Sequence, residues 1–281
     1  MNFKVMLASQ QMPELTQLRY PCYVQPKLDG YRAVYIPNEG FYSRSCKKFR
    51  NENLKEYFKS LDNVADYVLD GELYIHGIEF QNLASTISKE GAEIKDLVFV
   101  VYDCIPIEDF KLQKSSLQYE DRLKLLRSVL NEQVADFTKV IDISTDKVDS
   151  PLEIRELYKK YLKNDYEGVI IRRVDGNYKF GRSTIKGGEL IKLKPFKSLD
   201  LKVVDVYEGE NQFEGSLGGI ICSLPNGSTT RIGSGFSVDA RKEVWSNKKD
   251  YLGKTAEIKY FEETEENNLR HPIFIRWRDD K

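Results

Sequence analysis

Apolar and polar positions alternate in short runs along most of this chain, and helical spacing is confined to a few segments. Within residues 20–45, Val34-Tyr35-Ile36, a turn at Pro37-Asn38-Glu39-Gly40, and Phe41-Tyr42-Ser43 read as paired strands. Residues 53–61 read as helix, 67–75 as strand and 80–89 as a short helix. The Val- and aromatic-rich run 97–103 predicts a buried strand. Over residues 120–132, Leu123, Leu126, Val129 and Leu130 line one face of an amphipathic helix. Ser150-Pro151-Leu152-Glu153 predicts a helix start, with a Ser cap, Pro at the first helical position and Glu reaching back. Strands follow at 168–172 and 189–194. No regular βαβ rhythm runs through this mixture, which predicts an antiparallel α+β domain.

The texture changes after Pro195-Phe196-Lys197-Ser198. Five short strands (201–207, 219–224, 229–232, 255–261 and 273–277) surround a single helix at 238–247. That set suits a small closed barrel such as an OB-fold. The expected boundaries are therefore 1–197 for the α+β domain and 198–281 for the barrel domain.

Composition narrows the function classes. With 41% apolar and 31% charged residues, the 281-residue chain can bury a sizeable core, which argues against disorder. Lys and Arg total 43 against 44 Asp and Glu, which argues against a polybasic nucleic-acid coater but not against a local basic face. The apolar run at 97–102 is strand-sized, no stretch approaches a membrane span, and the first residues lack a secretory signal's apolar core. The expected location is the cytoplasm. Cys22, Cys46, Cys104 and Cys222 form no C-x-x-C pair, which disfavours a zinc site or a disulfide framework.

The chemistry-bearing positions are individually weak. Lys27-Leu28-Asp29-Gly30-Tyr31-Arg32 holds a lysine on an Asp-Gly turn, able to present its amine as a nucleophile. Such a K-x-D-G string arises by chance in roughly one chain in twenty of this length, so a solvated surface turn is the better explanation of it alone. Asp70-Gly71-Glu72 and Val101-Tyr102-Asp103 each read as strand ends, ordinarily a turn acid and a core aromatic. Glu167 stands at the mouth of the strand Gly168-Val169-Ile170-Ile171-Arg172. Lys192 and Lys194 share one strand face by alternation, a pattern also used to protect sheet edges.

Their order and spacing together resemble the covalent nucleotidyltransferase superfamily, and within it the minimal ATP-dependent DNA ligases of viral and phage type. The resemblance covers nearly the whole chain and is densest from Glu167 to Lys194, including Asn177-Tyr178-Lys179-Phe180-Gly181-Arg182-Ser183-Thr184. It implies that Lys27 becomes adenylylated and that Arg32 contacts ribose or phosphate. Arg44, in the second strand, would hold the 5′-phosphate of a nick. Glu72 would bind the ribose hydroxyl, Tyr102 would lie against adenine, and Glu167 would bind metal. Lys192 and Lys194 would contact the α-phosphate, and Arg182 the DNA. Arg278, Asp280 and Lys281 would form the terminal element that orients pyrophosphate. ATP, Mg²⁺ (or Mn²⁺) and nicked duplex DNA are the implied substrate, cofactor and partner. No oligomer is expected.

An unperturbed lysine, with a pKa of about 10.4, is less than roughly 0.1% neutral at pH 7, so the site must favour the free amine by nearby cations or desolvation. From Glu167 to Lys202 there are nine bases (Arg172, Arg173, Lys179, Arg182, Lys186, Lys192, Lys194, Lys197, Lys202) against four acids (Glu167, Asp175, Glu189, Asp200), a local excess suited to DNA phosphates. The segment Gly209-Glu210-Asn211-Gln212-Phe213-Glu214-Gly215 leaves room for a short loop where minimal viral ligases often carry a long hairpin, so encirclement of DNA is not expected. Rival readings are an mRNA guanylyltransferase and a non-catalytic OB-type nucleic-acid binder. Leu193 in place of a Trp between the two lysines disfavours the first, and the intact Lys27, Glu72, Glu167, Lys192 and Lys194 disfavour the second.

Overall fold

Cys22-Tyr23-Val24-Gln25-Pro26 is buried at every position, as a strand with neighbours on both sides and cover on both faces must be. In the computed structural model, which describes residues 3–9, 13–78, 80–134, 136–263 and 268–278, this segment is β1 (Cys22–Lys27). The chain divides into two units, Met1–Leu193 and Lys194–Lys281.

The first unit holds two sheets. One runs in the order β3-β2-β4-β5-β6, from β2 (Tyr31–Ile36), β3 (Gly40–Tyr42), β4 (Tyr67–Tyr74), β5 (Val98–Pro106) and β6 (Val140–Asp142). The other is β7-β1-β8-β9, with β7 (Asp146–Val148), β8 (Gly168–Arg173) and β9 (Ile191–Leu193). Helices α1 (Asn53–Tyr57), α2 (Phe80–Ser88), α3 (Ile107–Leu112), α4 (Tyr119–Gln133) and α5 (Pro151–Lys163) accompany them. Leu123, Leu126, Val129 and Leu130 of α4 enter the largest core with Phe58, Leu69, Phe99 and Val101. Ser150 caps α5 by accepting from the Glu153 N–H, with Glu153 reaching back to the Asp149 N–H.

Three expectations need correcting here. Strands β2 and β3 pair as a hairpin, but β1 lies between β7 and β8 in the other sheet. Asp70-Gly71-Glu72 lies inside β4 and Val101-Tyr102-Asp103 inside β5, rather than at strand ends. These strands oppose Asp70 to Asp103 and Gly71 to Val101, so Tyr102 is the extra residue of a β-bulge. Bulges re-aim side chains, and Gly71 makes this one possible: a Cβ there would lie 2.5 Å from the Val100 carbonyl oxygen. Arg44 occupies a turn after β3, where the Cys46 N–H donates to the Ser43 carbonyl at 3.0 Å.

The second unit is a five-stranded sheet in the order β12-β11-β10-β13-β16. Its strands are β10 (Lys197–Glu208), β11 (Leu217–Ser223), β12 (Thr229–Ile232), β13 (Thr255–Tyr260) and β16 (Ile273–Trp277), all antiparallel. A two-stranded ribbon, β14 (Glu262–Glu263) with β15 (Leu269–Arg270), and helices α6 (Val238–Ser246) and α7 (Lys248–Tyr251) complete it. The closed barrel expected from the sequence is not formed as a continuous ladder among the described residues. Its two edges meet at a bridge between Ser234 and Ile273, where the Phe274 N–H donates to the Ser234 carbonyl at 2.9 Å. The loop between β10 and β11 is short, with one 3₁₀ turn at Asn211–Phe213. Buried Arg241 of α6 stands over the Phe213 ring and donates to the Leu217, Gly218 and Gly233 carbonyls.

Candidate active site

The segment Leu28-Asp29-Gly30 leaves one sheet and enters the other, so the turn after Lys27 is fixed from both sides. Lys27 pairs with Gly168 at the end of β1–β8, and the Glu167 N–H donates to the Lys27 carbonyl at 3.0 Å. Beyond the turn, the Gly30 N–H donates to Glu72 Oε1 at 3.0 Å. Gly30 admits this approach, since a Cβ there would sit 2.8 Å from Glu72 Cγ and 2.7 Å from the Leu73 carbonyl oxygen. The Lys27 ammonium donates to Glu167 as an ion pair, and both side chains remain about a quarter exposed.

Around this pair, burial pushes the Glu72 carboxyl above the usual carboxylate range, against the opposing pull of Lys27 and Arg32. Arg32, opposite Glu72 in the β2–β4 register, makes a two-pronged contact with buried Asp70, Nε to Oδ1 at 2.6 Å and Nη2 to Oδ2 at 2.5 Å. Burial opposes its charge most strongly, but Asp70 together with Tyr102 and Tyr178 outweighs it and keeps the guanidinium protonated. The Tyr102 ring clusters with Leu28, Val100 and Ile143. The Arg32 and Arg172 guanidiniums lie 5.1 and 5.4 Å from its centroid.

Lys192 stands opposite Ile170, which stands opposite Gln25, so it shares a sheet face with Lys27 two residues along β1. The structure thus gathers Lys27, Arg32, Glu72, Tyr102 and Glu167, with Lys192 on the same face. Arg182 is exposed and donates to the Ala8 carbonyl at 2.9 Å, and Arg44 is exposed on its turn. In the second unit, Lys194 lies just past β9, its ammonium 5.7 Å from the Phe261 ring centroid. Arg278 Nη1 lies 3.4 Å from Glu257 and 3.6 Å from Asp200. Asp280 and Lys281 lie outside the described residues.

Two buried networks escaped the sequence reading. Asp103, with no exposed surface, accepts from Arg122 Nε at 2.6 Å and Arg172 Nη1 at 2.7 Å. Burial alone would raise its carboxyl, but the two guanidiniums hold it below the usual range. Arg172 also donates to Gln25 Oε1, so a residue counted for DNA contact is interior. Tyr178 donates to Asp70 Oδ2 at 2.6 Å and accepts from the Met6 N–H at 3.1 Å. One signal was available: Arg122 falls three positions after Tyr119 and four before Leu126, on the apolar stripe of α4.

The family model of the ATP dependent DNA ligase domain matches residues 6–194, two thirds of the chain, and that of the DNA ligase OB-like domain matches 208–278. The chain belongs to the ATP-dependent DNA ligase family. The DNA ligase of African swine fever virus is 31% identical over 212 residues, covering 72% of this chain and 48% of that one. The DNA ligase of Enterobacteria phage T4 is 30% identical over 221 residues, covering 73% and 43%. The chain spans about half the length of the curated relatives it matches. Among solved structures, Chlorella virus DNA ligase-adenylate aligns over 99% of this chain and all of its own, at 27% identity and a TM-score of 0.55. Lys27, Arg32, Glu72, Tyr102, Glu167 and Lys192 all fall within the matched ligase domain.

Proposed function

We propose that this chain is an ATP-dependent DNA ligase that seals nicks in duplex DNA through a lysyl-AMP intermediate. The neutral Lys27 amine attacks the α-phosphorus of ATP, forms a P–N bond and expels pyrophosphate. The adenylate then passes to the 5′-phosphate of a nick, restoring the lysine. The 3′-hydroxyl finally attacks that phosphorus, forming the phosphodiester and releasing AMP. The observation that carries this reading is the Lys27–Glu167 pair at a turn anchored in two sheets, with half-buried Glu72 holding the Gly30 N–H.

In this scheme Tyr102 lies against adenine, Glu72 accepts from the ribose hydroxyl, and Lys192 and Lys194 meet the α-phosphate. Arg32 trades part of its Asp70 contact for the nucleotide. Arg44 and Arg182 take nick phosphates, while Arg278 and Lys281 orient pyrophosphate on the side opposite the amine. Among the described residues no three His, Cys, Asp or Glu side chains gather as a protein-only metal cage. One partly exposed carboxylate, Glu167, suits Mg²⁺ held largely by water and phosphate oxygens. When bound, the ion would offset phosphate charge. While Lys27 is paired with Glu167 its ammonium form is favoured, so the pair must part before the amine can attack.

The protein acts as a monomer, wherever its DNA is replicated. Among the described residues no helix is long and apolar enough to cross a membrane. The test is incubation with Mg²⁺ and α-labelled ATP or GTP, followed by a nick-sealing assay. Covalent label from ATP together with sealed product is expected. Label from GTP would transfer the reading to the capping enzymes, and no label would overturn it in favour of a binding module.

A further inference from the structure

Arg19, Arg173 and Lys186 reach one cavity of about 410 Å³ from three separate segments of the first unit. Its lining also includes Leu18, Ile171 and Ile191, which give it an apolar floor. The β1–β8 register places Lys27 opposite Gly168 and Cys22 opposite Arg173, so the cavity lies at the far end of that strand pair. At ~3.3 Å per residue this is roughly 17 Å from the reactive lysine. It is therefore distinct from the adenylate site.

Arg173 is built into this place. Its N–H donates to the Gly188 carbonyl at 2.9 Å. Gly188 has φ +72°, which favours glycine, and it lies in contact with the arginine's side chain. The Arg173 side chain is 22% exposed and its Nε pairs with Asp175 at 2.5 Å. Arg19 and Lys186 are exposed and have no side-chain partner among the described residues. Three cations thus line an apolar recess with no carboxylate among its lining residues, although Asp175 pairs with Arg173 and Asp149 and Glu153 act on Cys22. Phosphate answers the charge, and a flat sugar-base unit answers the floor and the volume.

We propose that this cavity takes a nucleoside phosphate, its phosphate against Arg19, Arg173 and Lys186 and its apolar faces on Leu18, Ile171 and Ile191. The favoured source is a strand of the DNA substrate some way from the nick, an assignment that rests on the ligase reading. Free nucleotide is the other source of the same chemistry. The exposed cations at the rim suit an extended chain, which places one nucleotide on the floor while its phosphates meet the rim.

The experiment compares the wild-type chain with Arg19→Gln/Lys186→Gln. Neither residue belongs to the adenylation machinery, so ATP labelling of Lys27 is expected to be equal in both and reports an intact fold. Nicked-duplex affinity is then measured by anisotropy from 50 to 200 mM salt, and AMP binding by calorimetry on the adenylylated protein. The variant is expected to bind nicked DNA about tenfold more weakly, with the log–log salt slope reduced by about 1–2. Weakened AMP binding with unchanged DNA binding would support the pocket and assign it to free nucleotide. No change in either titration would overturn the proposal. Absence of labelling in the wild type would overturn the ligase reading alone, because the two titrations would still decide the pocket.

Discussion

Lys27 and Glu167 are joined twice, by the Glu167 N–H donating to the Lys27 carbonyl and by an ion pair between their side chains. The backbone link fixes the spacing while the side chains stay free to separate. Lys27→Arg is expected to keep the pair and the unfolding temperature but to yield no covalent AMP, because guanidinium supplies no neutral nucleophile. Glu167→Gln should slow adenylylation on the order of 10²-fold or more, read by initial rates of labelling. Full labelling of Lys27→Arg would place the nucleophile elsewhere.

Glu72 offers a pH test with a defined sign. Its carboxyl is raised by burial, so the neutral form fits the fold better than the charged one. Its favourable contribution is present below the unfolded value, about 4.3, and is lost as pH rises through the raised folded value. Glu72→Gln keeps an acceptor for the Gly30 N–H and carries no charge. The variant is expected to match or exceed wild-type stability at pH 7 in urea unfolding, while adenylylation falls. A loss of stability that grows with pH would contradict this.

Asp103 has the opposite sign. Paired with Arg122 and Arg172, its lowered carboxyl contributes stability that is fully present above the unfolded value near 3.9 and fades as pH falls through the lowered one. Asp103→Asn leaves two buried guanidiniums without an anion and is expected to cost about 3–5 kcal/mol at pH 7. That difference from wild type should shrink in unfolding curves taken below about pH 4.

Gly71→Ala tests the bulge. The new methyl would meet the Val100 carbonyl at 2.5 Å and the Phe99 ring at 2.7 Å, forcing β4 and β5 apart. A loss of about 1–3 kcal/mol is expected from thermal unfolding, together with weaker nucleotide binding if Tyr102 shifts.

Arg278→Ala separates two steps. It is expected to impair adenylylation by ATP more than sealing of a nick already carrying adenylate, measured side by side. Equal losses would argue against a role in orienting pyrophosphate.

The ligase domain and its lysine turn were legible because strand alternation and motif spacing are local signals. The helix start at Ser150 was legible for the same reason, its cap and proline lying within four residues. What stayed hidden was pairing at a distance. Strand β1 falls in the stretch 20–45 read as paired strands, but nothing in residues 22–27 tells which sheet will receive them. Strands β6 and β7 have three residues each, too few for alternation to register. Arg172 looked like a DNA-facing base because a buried charge and an exposed one share the same letter. Asp103, which neutralises it and also pairs with Arg122, lies far along the chain.

The turn from Lys27 to Gly30 is a rivet through two plates. Its near end is fastened to β8 and its far end to Glu72 on β4, so any slippage between the sheets must displace the Lys27 side chain. Compression by hydrostatic pressure, which squeezes interlayer voids before it breaks strand ladders, should therefore perturb adenylylation well before the protein denatures.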